Sequence, residues 1–99
     1  MTFVYEEPLL EYMRQKGMSS IAIEVISSNS DFEVTELHVH LMRDSQAEYF
    51  KKSKGFRGIP TEHGEVLLPS YRLEYSDTIT FGLKKFWIFH SIKYSGIKL

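Results

Sequence analysis

The first apolar pattern in the chain has the spacing of a helix. Leu9, Leu10 and Met13 share one side of a helix drawn over residues 5–16. Gly17 follows, and a glycine can adopt the left-handed conformation that ends a helix. Three turns are too few to be stable alone, so the pattern predicts a helix that packs on a sheet.

From residue 20 onward the apolar period changes to two, as it does in half-buried strands. Residues 20–26 alternate in this way. Residues 27–31, Ser-Ser-Asn-Ser-Asp, favour a loop because their short polar side chains compete for backbone hydrogen bonds. Residues 32–42 predict a second strand. One of its faces carries Thr35, Leu37, Val39 and Leu41, and the other carries Glu36, His38, His40 and Met42.

The middle of the chain predicts a connection followed by a hairpin. Residues 44–58 are polar and rich in lysine, which favours a mobile connection with one helical turn. His-Gly at 63–64 is typical of a hairpin turn, here between strands at 59–61 and 65–68. Pro69 cannot donate a ladder hydrogen bond, so we expect the second of these strands to end before it.

The C-terminal stretch, residues 77–99, has the strongest strand pattern. Its second strand, residues 86–94, is apolar on both faces, with Trp87 and Phe89 on the same one. We therefore expect a mainly β fold, a small β-sandwich or flattened barrel with one short N-terminal helix, in a single domain over residues 1–99.

Composition narrows the class of protein. With 42% apolar and 25% charged residues, the chain has the composition of an ordinary globular domain with one core. It has no cysteine, which excludes disulfides and thiolate chemistry. No apolar run approaches the ~20 residues that cross a bilayer, and the N-terminus lacks the pattern of a signal peptide. We expect a cytoplasmic protein with no membrane partner.

The order of elements follows one scheme through the whole chain. A helix ends in Lys-Gly, two strands follow, and a hairpin closed at 63–64 leads to Val-Leu-Leu-Pro at 66–69. Asp-Thr-Ile-Thr-Phe at 77–81 and a final Gly-Ile-Lys-Leu at 96–99 complete it. This order resembles the HesB-like proteins, and most closely the small CC/Se motif branch. The resemblance implies the fold that this branch shares with the A-type carriers of iron–sulfur cluster assembly.

The chain departs from that family at its chemistry. In the family a cysteine pair, or cysteine with selenocysteine, follows the first core strand, where this chain has Ser27, Ser28, Asn29 and Ser30. The A-type carriers also use cysteines near the C-terminus, and this chain has none. Serine hydroxyls are poor substitutes for the thiolates that hold iron–sulfur clusters. The resemblance therefore implies a member without the family's cluster ligands.

One strand offers a candidate metal site. Glu36, His38 and His40 point to the same side, and two imidazoles at i and i+2 can share a metal with a carboxylate as third ligand. An ordinary solvated strand face accounts for the same pattern. We expect no resident cofactor, and a divalent metal on these three residues remains the alternative.

The other polar candidates favour structural roles. His90 lies in an apolar strand, which predicts a core histidine bonded to a neighbour. His63 lies beside a turn glycine and is expected to be exposed. A serine nucleophile needs an activating base and an oxyanion hole, and no spacing in the chain indicates either for Ser27, Ser28 or Ser30. We expect a protein that is not an enzyme.

The aromatic C-terminal strand bears on partners. Its aromatic residues alternate with lysines, a pattern that can stack single-stranded bases, but a net charge of −1 offers no field for a polyanion, so we expect no nucleic acid. One helix can cover only one face of a sheet, so Trp87 and Phe89 predict a homodimer. The sequence thus predicts a non-catalytic module that binds a protein or a small ligand. The alternative is a divalent-metal protein with a His-x-His site.

Overall fold

The computed structural model describes residues 1–29 and 33–99, and within them the chain forms seven strands and two helices. In chain order these are β1 (Thr2–Tyr5), α1 (Glu7–Lys16), β2 (Ser20–Asn29), β3 (Glu33–Met42), α2 (Asp44–Ser53), β4 (Arg57–Thr61), β5 (Gly64–Leu68), β6 (Glu74–Phe86) and β7 (Phe89–Lys98).

The strands form two sheets that share one core. One sheet has the order β1-β6-β7, and the other has the order β3-β2-β5-β4. Each contains one parallel pair, β1 with β6 and β2 with β5. The prediction of a small, mainly β fold is confirmed. The main core takes buried side chains from both sheets, from α1 and from the segment between β5 and β6, to which Leu73 belongs: Tyr5, Leu9, Met13, Ile21, Ile23, Val66, Leu68, Leu73, Ile79, Phe81 and Ile97.

Helix α1 has the buried side and the end that the sequence predicts. Leu9 and Met13 are buried, and Gly17 ends the helix in the left-handed region with φ 66°. The predicted start at residue 5 is wrong, because residues 2–5 form β1. Tyr5 is buried with its ring edge against the Phe81 ring, at a centroid distance of 5.9 Å. Pairing with a strand more than 70 residues away leaves no signal in local periodicity.

Strand β2 is longer than its apolar pattern. Residues 27–29 were expected to form a loop, and instead they continue the strand, with Ser27 opposite Thr35 on β3. The long antiparallel pairing satisfies the backbone groups for which serine and asparagine side chains would otherwise compete. The rest of the predicted loop, including Ser30, and the predicted strand start at residue 32 lie outside the described residues.

The predicted mobile connection is wrong, because most of it forms helix α2. Ala47 is buried with Met42 and Leu67 in a second, smaller apolar cluster, so this helix covers the outer face of the four-stranded sheet. Lys51 Nζ lies 2.9 Å from Glu65 Oε1 and links the helix to β5. The described residues therefore form two helices where the sequence predicts one. Residues 44–58 are mostly polar, and the side of α2 that packs on the sheet is too narrow to show as an apolar pattern.

The hairpin between β4 and β5 is confirmed. Its turn is Glu62-His63, one residue before the predicted His63-Gly64, so Gly64 is already the first residue of β5, and β5 ends immediately before Pro69 as predicted. The hydroxyl of Thr61 accepts a hydrogen bond from the His63 amide and donates one to the Gly64 carbonyl oxygen. Gly64 has φ 135°, and an added Cβ there would collide with the carbonyl oxygen of Ser19. Only glycine fits this position.

Candidate functional site: the tip of the last hairpin

The β6–β7 hairpin ends in four consecutive apolar residues, 86–89, which we call the apolar tip. Phe86 pairs with Phe89 across the strands, and Trp87 and Ile88 form the turn. Their exposed fractions are 73% for Phe86, 87% for Trp87, 75% for Ile88 and 66% for Phe89. Phe86 and Phe89 are cross-strand partners and share one face, and the described part of the protein leaves both of them and the two turn residues largely uncovered.

The turn corrects the predicted strand over residues 86–94. The chain reverses at Trp87 and Ile88, so Trp87 lies in the turn and shares no strand face with Phe89. The run contains no glycine, asparagine or proline to mark a turn, and a period-two reading therefore continues through it.

The body of the same hairpin belongs to the core. Ile79 and Phe81, which alternate along β6, are completely buried, and Leu83 is half-buried. Five residues after Phe81, Phe86 has most of its surface in water. Strand β6 thus runs from the core to an exposed end, and its buried residues fix the position of the hairpin that carries the apolar tip.

Trp87 has an uncommon backbone conformation. Its φ is 58°, and it is the one non-glycine residue with positive φ in the described ranges. A bulky L-residue there is strained by contact between its Cβ and the backbone, and two-residue hairpin turns commonly place glycine or asparagine at such positions. Backbone strain of this kind is a reason to look for function at the residue that carries it.

Basic residues follow the apolar tip along the hairpin. Lys85 pairs with His90, and Lys84 pairs with Ser91, all of them exposed. Within the residues that the structure describes, neither lysine makes an ion pair, whereas Lys93 Nζ lies 3.2 Å from Oε1 of Glu6, the residue that precedes α1. All 13 Asp and Glu residues precede residue 78. The hairpin end therefore carries positive charge with no acidic side chain of its own strands beside it.

The predicted metal residues share a face but bind different partners. His38 Nε2 lies 3.0 Å from Glu36 Oε2, and His40 Nε2 lies 2.9 Å from Glu24 Oε2 on β2. Lys54 Nζ, 3.7 Å from the second oxygen of Glu24, adds a positive charge to this face. In residues 1–29 and 33–99, no three His, Cys, Asp or Glu side chains are placed so that they could hold one metal ion.

Glu24 is the residue of this face that the sequence did not single out. The alternation along β2 places Glu24 on the face opposite to Ile21 and Ile23. Its position diagonal to His40, however, depends on the register between β2 and β3. In that register Glu24 is directly opposite His38, and Ala22 is opposite His40. No spacing within either strand alone contains this information.

His90 is not the core histidine that its apolar strand predicts. It is exposed, because its cross-strand partner Lys85 already lies beyond the core. Its ring stacks on the Tyr12 ring of α1, with centroids 4.8 Å apart. Together with His40 it borders an open cleft of about 320 Å³ whose other lining residues are Tyr12, Met18, Val39, Leu41, Leu83, Ser91 and Ile92.

The remaining candidates lie apart from these residues. Ser27 is exposed on β2. His63 is exposed, as predicted, with its ring edge-on to Tyr5 at 5.2 Å and its Nε2 3.9 Å from Glu62 Oε2. Burial raises the pKa of the Tyr5 hydroxyl, which forms a 3.1 Å hydrogen bond with Thr61 Oγ1. No helix in the described ranges is long and apolar enough to cross a membrane.

Comparison with known proteins gives one distant structural match. No protein-family model matches the sequence, and a search of curated proteins found no match. Among solved structures, the chain is similar to the crystal structure of Escherichia coli SufA, which is involved in the biosynthesis of iron-sulfur clusters. The likeness covers 96% of this chain and 80% of that chain, at 10% sequence identity and a TM-score of 0.46. It is too distant to assign a family or a function.

Proposed function

We propose that this chain is a non-catalytic binding module and that the apolar tip is its binding element. The observation that carries the proposal is the exposure of four consecutive large apolar side chains, Phe86, Trp87, Ile88 and Phe89. Burial of such a side chain contributes about 1.5–3 kcal/mol. A contiguous exposed apolar surface is typical of a site that another molecule covers.

The backbone at Trp87 supports the same proposal. At φ 58° a glycine would be less strained, so folding alone does not favour tryptophan at this position. A large aromatic ring there gains free energy only when something covers it. The tip therefore combines a strained backbone with an uncovered side chain, and a partner accounts for both.

Trp87 is the only tryptophan in the chain, so its fluorescence reports on the tip directly. In dilute protein we expect emission typical of indole in water, and a shift to the blue whenever a partner covers the tip. Emission already blue-shifted in dilute monomer would contradict the proposal, because the ring would then be buried within its own chain. Tyr49→Ser, which removes an exposed aromatic from α2, is the matched control and should leave the emission unchanged.

The homodimer that the sequence predicts through Trp87 and Phe89 remains a prediction. It would place a second copy of the chain on the apolar tip. Light scattering of the wild type and of Trp87→Glu across a concentration series tests it. A dimer that the variant loses would support it, and a monomeric wild type would contradict it. The HesB-like family and a cytoplasmic location are likewise predictions from the sequence.

The alternative function is divalent-metal binding by Glu36, His38 and His40. Glu24 favours it, because it adds a fourth ligand-type side chain to the same face. A shared metal site is disfavoured because His38 and His40 each bond to a different carboxylate. Zinc added to untagged protein at pH 7.5 should raise the melting temperature if the site forms, and lose this effect at pH 5.5, because protonated imidazole is not a ligand. We expect equal melting curves with zinc and with chelator, and a rise that His38→Ala removes and His63→Ala retains would establish the site.

A further inference from the structure

We infer that the partner of the apolar tip is the surface of an anionic lipid membrane. This inference rests on the proposed function, since it names what covers the same four residues. Three features of the hairpin carry it: the order of apolar and basic residues along its axis, the separation of charge within the chain, and the exposure of all four residues of the apolar tip.

The residues are ordered as a membrane interface requires. The turn and the pair Phe86–Phe89 come first, the row of Lys85 and His90 comes next, and the row of Lys84 and Ser91 follows. Strand residues advance about 3.3 Å each, so the apolar tip is on the order of 7 Å deep before the first amine. Interfacial elements bury their apolar part to about 5–10 Å, with lysines at the headgroup level.

Charge favours anionic lipid over a neutral surface. Lys84, Lys85, Lys93 and Lys98 are the lysines after residue 77, and no acidic side chain lies in that stretch. Stable attachment of a shallow apolar element generally needs a second, electrostatic signal. The two lysines nearest the tip supply that signal, because a negatively charged leaflet attracts basic residues near its surface.

A second copy of the chain fits the tip less well. Stable protein interfaces bury about 800 Å² on each partner, and four large side chains of about 150–250 Å² each reach that value only when a concave partner encloses them. Two tips in contact would also bring the exposed lysines of both copies together. A lipid surface adapts its shape to the four exposed residues of the apolar tip, so it needs no preformed concave site.

Membrane contact of this kind differs from the spanning that the sequence argues against. Four consecutive apolar residues are far fewer than the ~20 needed to cross a bilayer. They suffice for an element that lies in the interface. The expectation of no membrane partner depended on the missing span, and the hairpin tip provides contact without one.

The test is binding of the full chain to vesicles, read from Trp87 emission and from co-sedimentation. Vesicles of equimolar phosphatidylserine and phosphatidylcholine should bind the protein and shift Trp87 emission to the blue, whereas phosphatidylcholine alone should bind it weakly. Phe89→Ser should weaken binding about tenfold or more, from the loss of one buried aromatic. Lys84→Gln and Lys85→Gln should each weaken binding about fivefold, and added salt should also weaken it.

Matched controls separate the tip from the rest of the surface. Lys52→Gln and Tyr49→Ser change an exposed lysine and an exposed aromatic on α2, and both should bind the anionic vesicles like the wild type. Equal loss in Lys52→Gln and Lys85→Gln would overturn the inference, because binding would then follow overall charge.

The outcomes also distinguish this inference from the proposed function. No binding to anionic vesicles, together with a dimer that Trp87→Glu disrupts, would overturn the membrane inference and leave the tip as a protein-binding element. Blue emission in dilute protein without vesicles would overturn both. Binding that requires phosphatidylserine and the intact tip, by a protein that is monomeric without vesicles, would establish the membrane as the partner.

Discussion

The β2–β3 and β6–β7 hairpins differ in whether their outward-facing side chains have partners within the described part of the protein. On the β2–β3 hairpin, the histidines of β3 each lie within 3.0 Å of a carboxylate of the same chain. On the β6–β7 hairpin, the four residues of the apolar tip have no cover from the described part of the protein. Groups that find partners within the molecule need nothing further, so the uncovered hairpin end is the better place to look for function.

The largest expected effect compares one residue type in the middle and at the end of β6. Phe81→Ala should lower the free energy of unfolding by about 3–5 kcal/mol, because it leaves a cavity in the core. Phe86→Ala should change it by less than about 0.5 kcal/mol, because that side chain is already in water. Urea denaturation of both variants measures the difference. A large loss in Phe86→Ala would mean that the tip packs against its own chain.

Alkaline pH is expected to lower the stability of the protein through Tyr5, whose ring contacts Phe81 of the β6–β7 hairpin. Burial raises the pKa of its hydroxyl above the ordinary 10.0, so above that pH the unfolded chain loses a proton that the native chain retains. Stability from this group is therefore complete below pH 10 and decreases as pH rises further. Tyr5→Phe should cost about 1 kcal/mol at pH 7, from the lost hydrogen bond with Thr61.

The same variant should lose less stability than the wild type between pH 7 and about pH 11, since phenylalanine has no proton to release. Denaturation at both pH values measures this, with Tyr49→Phe on the exposed side of α2 as control. Parallel pH profiles for the wild type and Tyr5→Phe would contradict the burial of this hydroxyl.

At the tip, stability and binding are expected to change in opposite directions. Trp87→Gly should raise the free energy of unfolding by about 0.5–1 kcal/mol, because relief of the strained φ exceeds the entropy that glycine adds to the unfolded chain. The same change should abolish the response to anionic vesicles. Thermal melting and vesicle co-sedimentation of one protein sample test both. If Trp87→Gly were less stable than the wild type and still bound the vesicles, Trp87 would be neither strained nor needed for binding.

The smallest effect is expected on the polar face. Glu24→Gln removes the carboxylate that His40 contacts at 2.9 Å and that Lys54 approaches at 3.7 Å. Partly exposed ion pairs contribute about 0–1 kcal/mol, so we expect a loss of about 0.5 kcal/mol or less. Binding to vesicles should be unchanged. A loss of several kcal/mol would show that this face holds the sheet together more than its exposure indicates.

Much of the fold follows from patterns within short stretches of sequence. The buried side of α1, its end at Gly17 and the β4–β5 hairpin, whose turn was predicted one residue too late, depend on residues that are neighbours in the chain, where spacing and glycine conformation are informative. The alternation on β3 likewise placed Glu36, His38 and His40 on one face. Burial repeats with the period of the element, so such faces can be read before the fold is known.

Other features depend on contacts between distant parts of the chain. Strand β1 exists because residues 2–5 pair with residues 78–81, and α2 is ordered because Ala47 packs on β5 and β3. The bond between Glu24 and His40 requires the β2–β3 register. None of these contacts changes the local pattern of apolar residues, so periodicity within one element cannot predict them.

Residue identities alone show that residues 86–89 are apolar, that lysines flank them and that the chain has no thiolate chemistry. The folded structure was needed to show that these apolar residues lie at an exposed hairpin turn and not in a buried strand. Side-chain type determines what a residue gains from burial, whereas its position relative to the core determines whether burial occurs. Phe81 and Phe86 are chemically the same, and five residues of strand carry the second one out of the core into water.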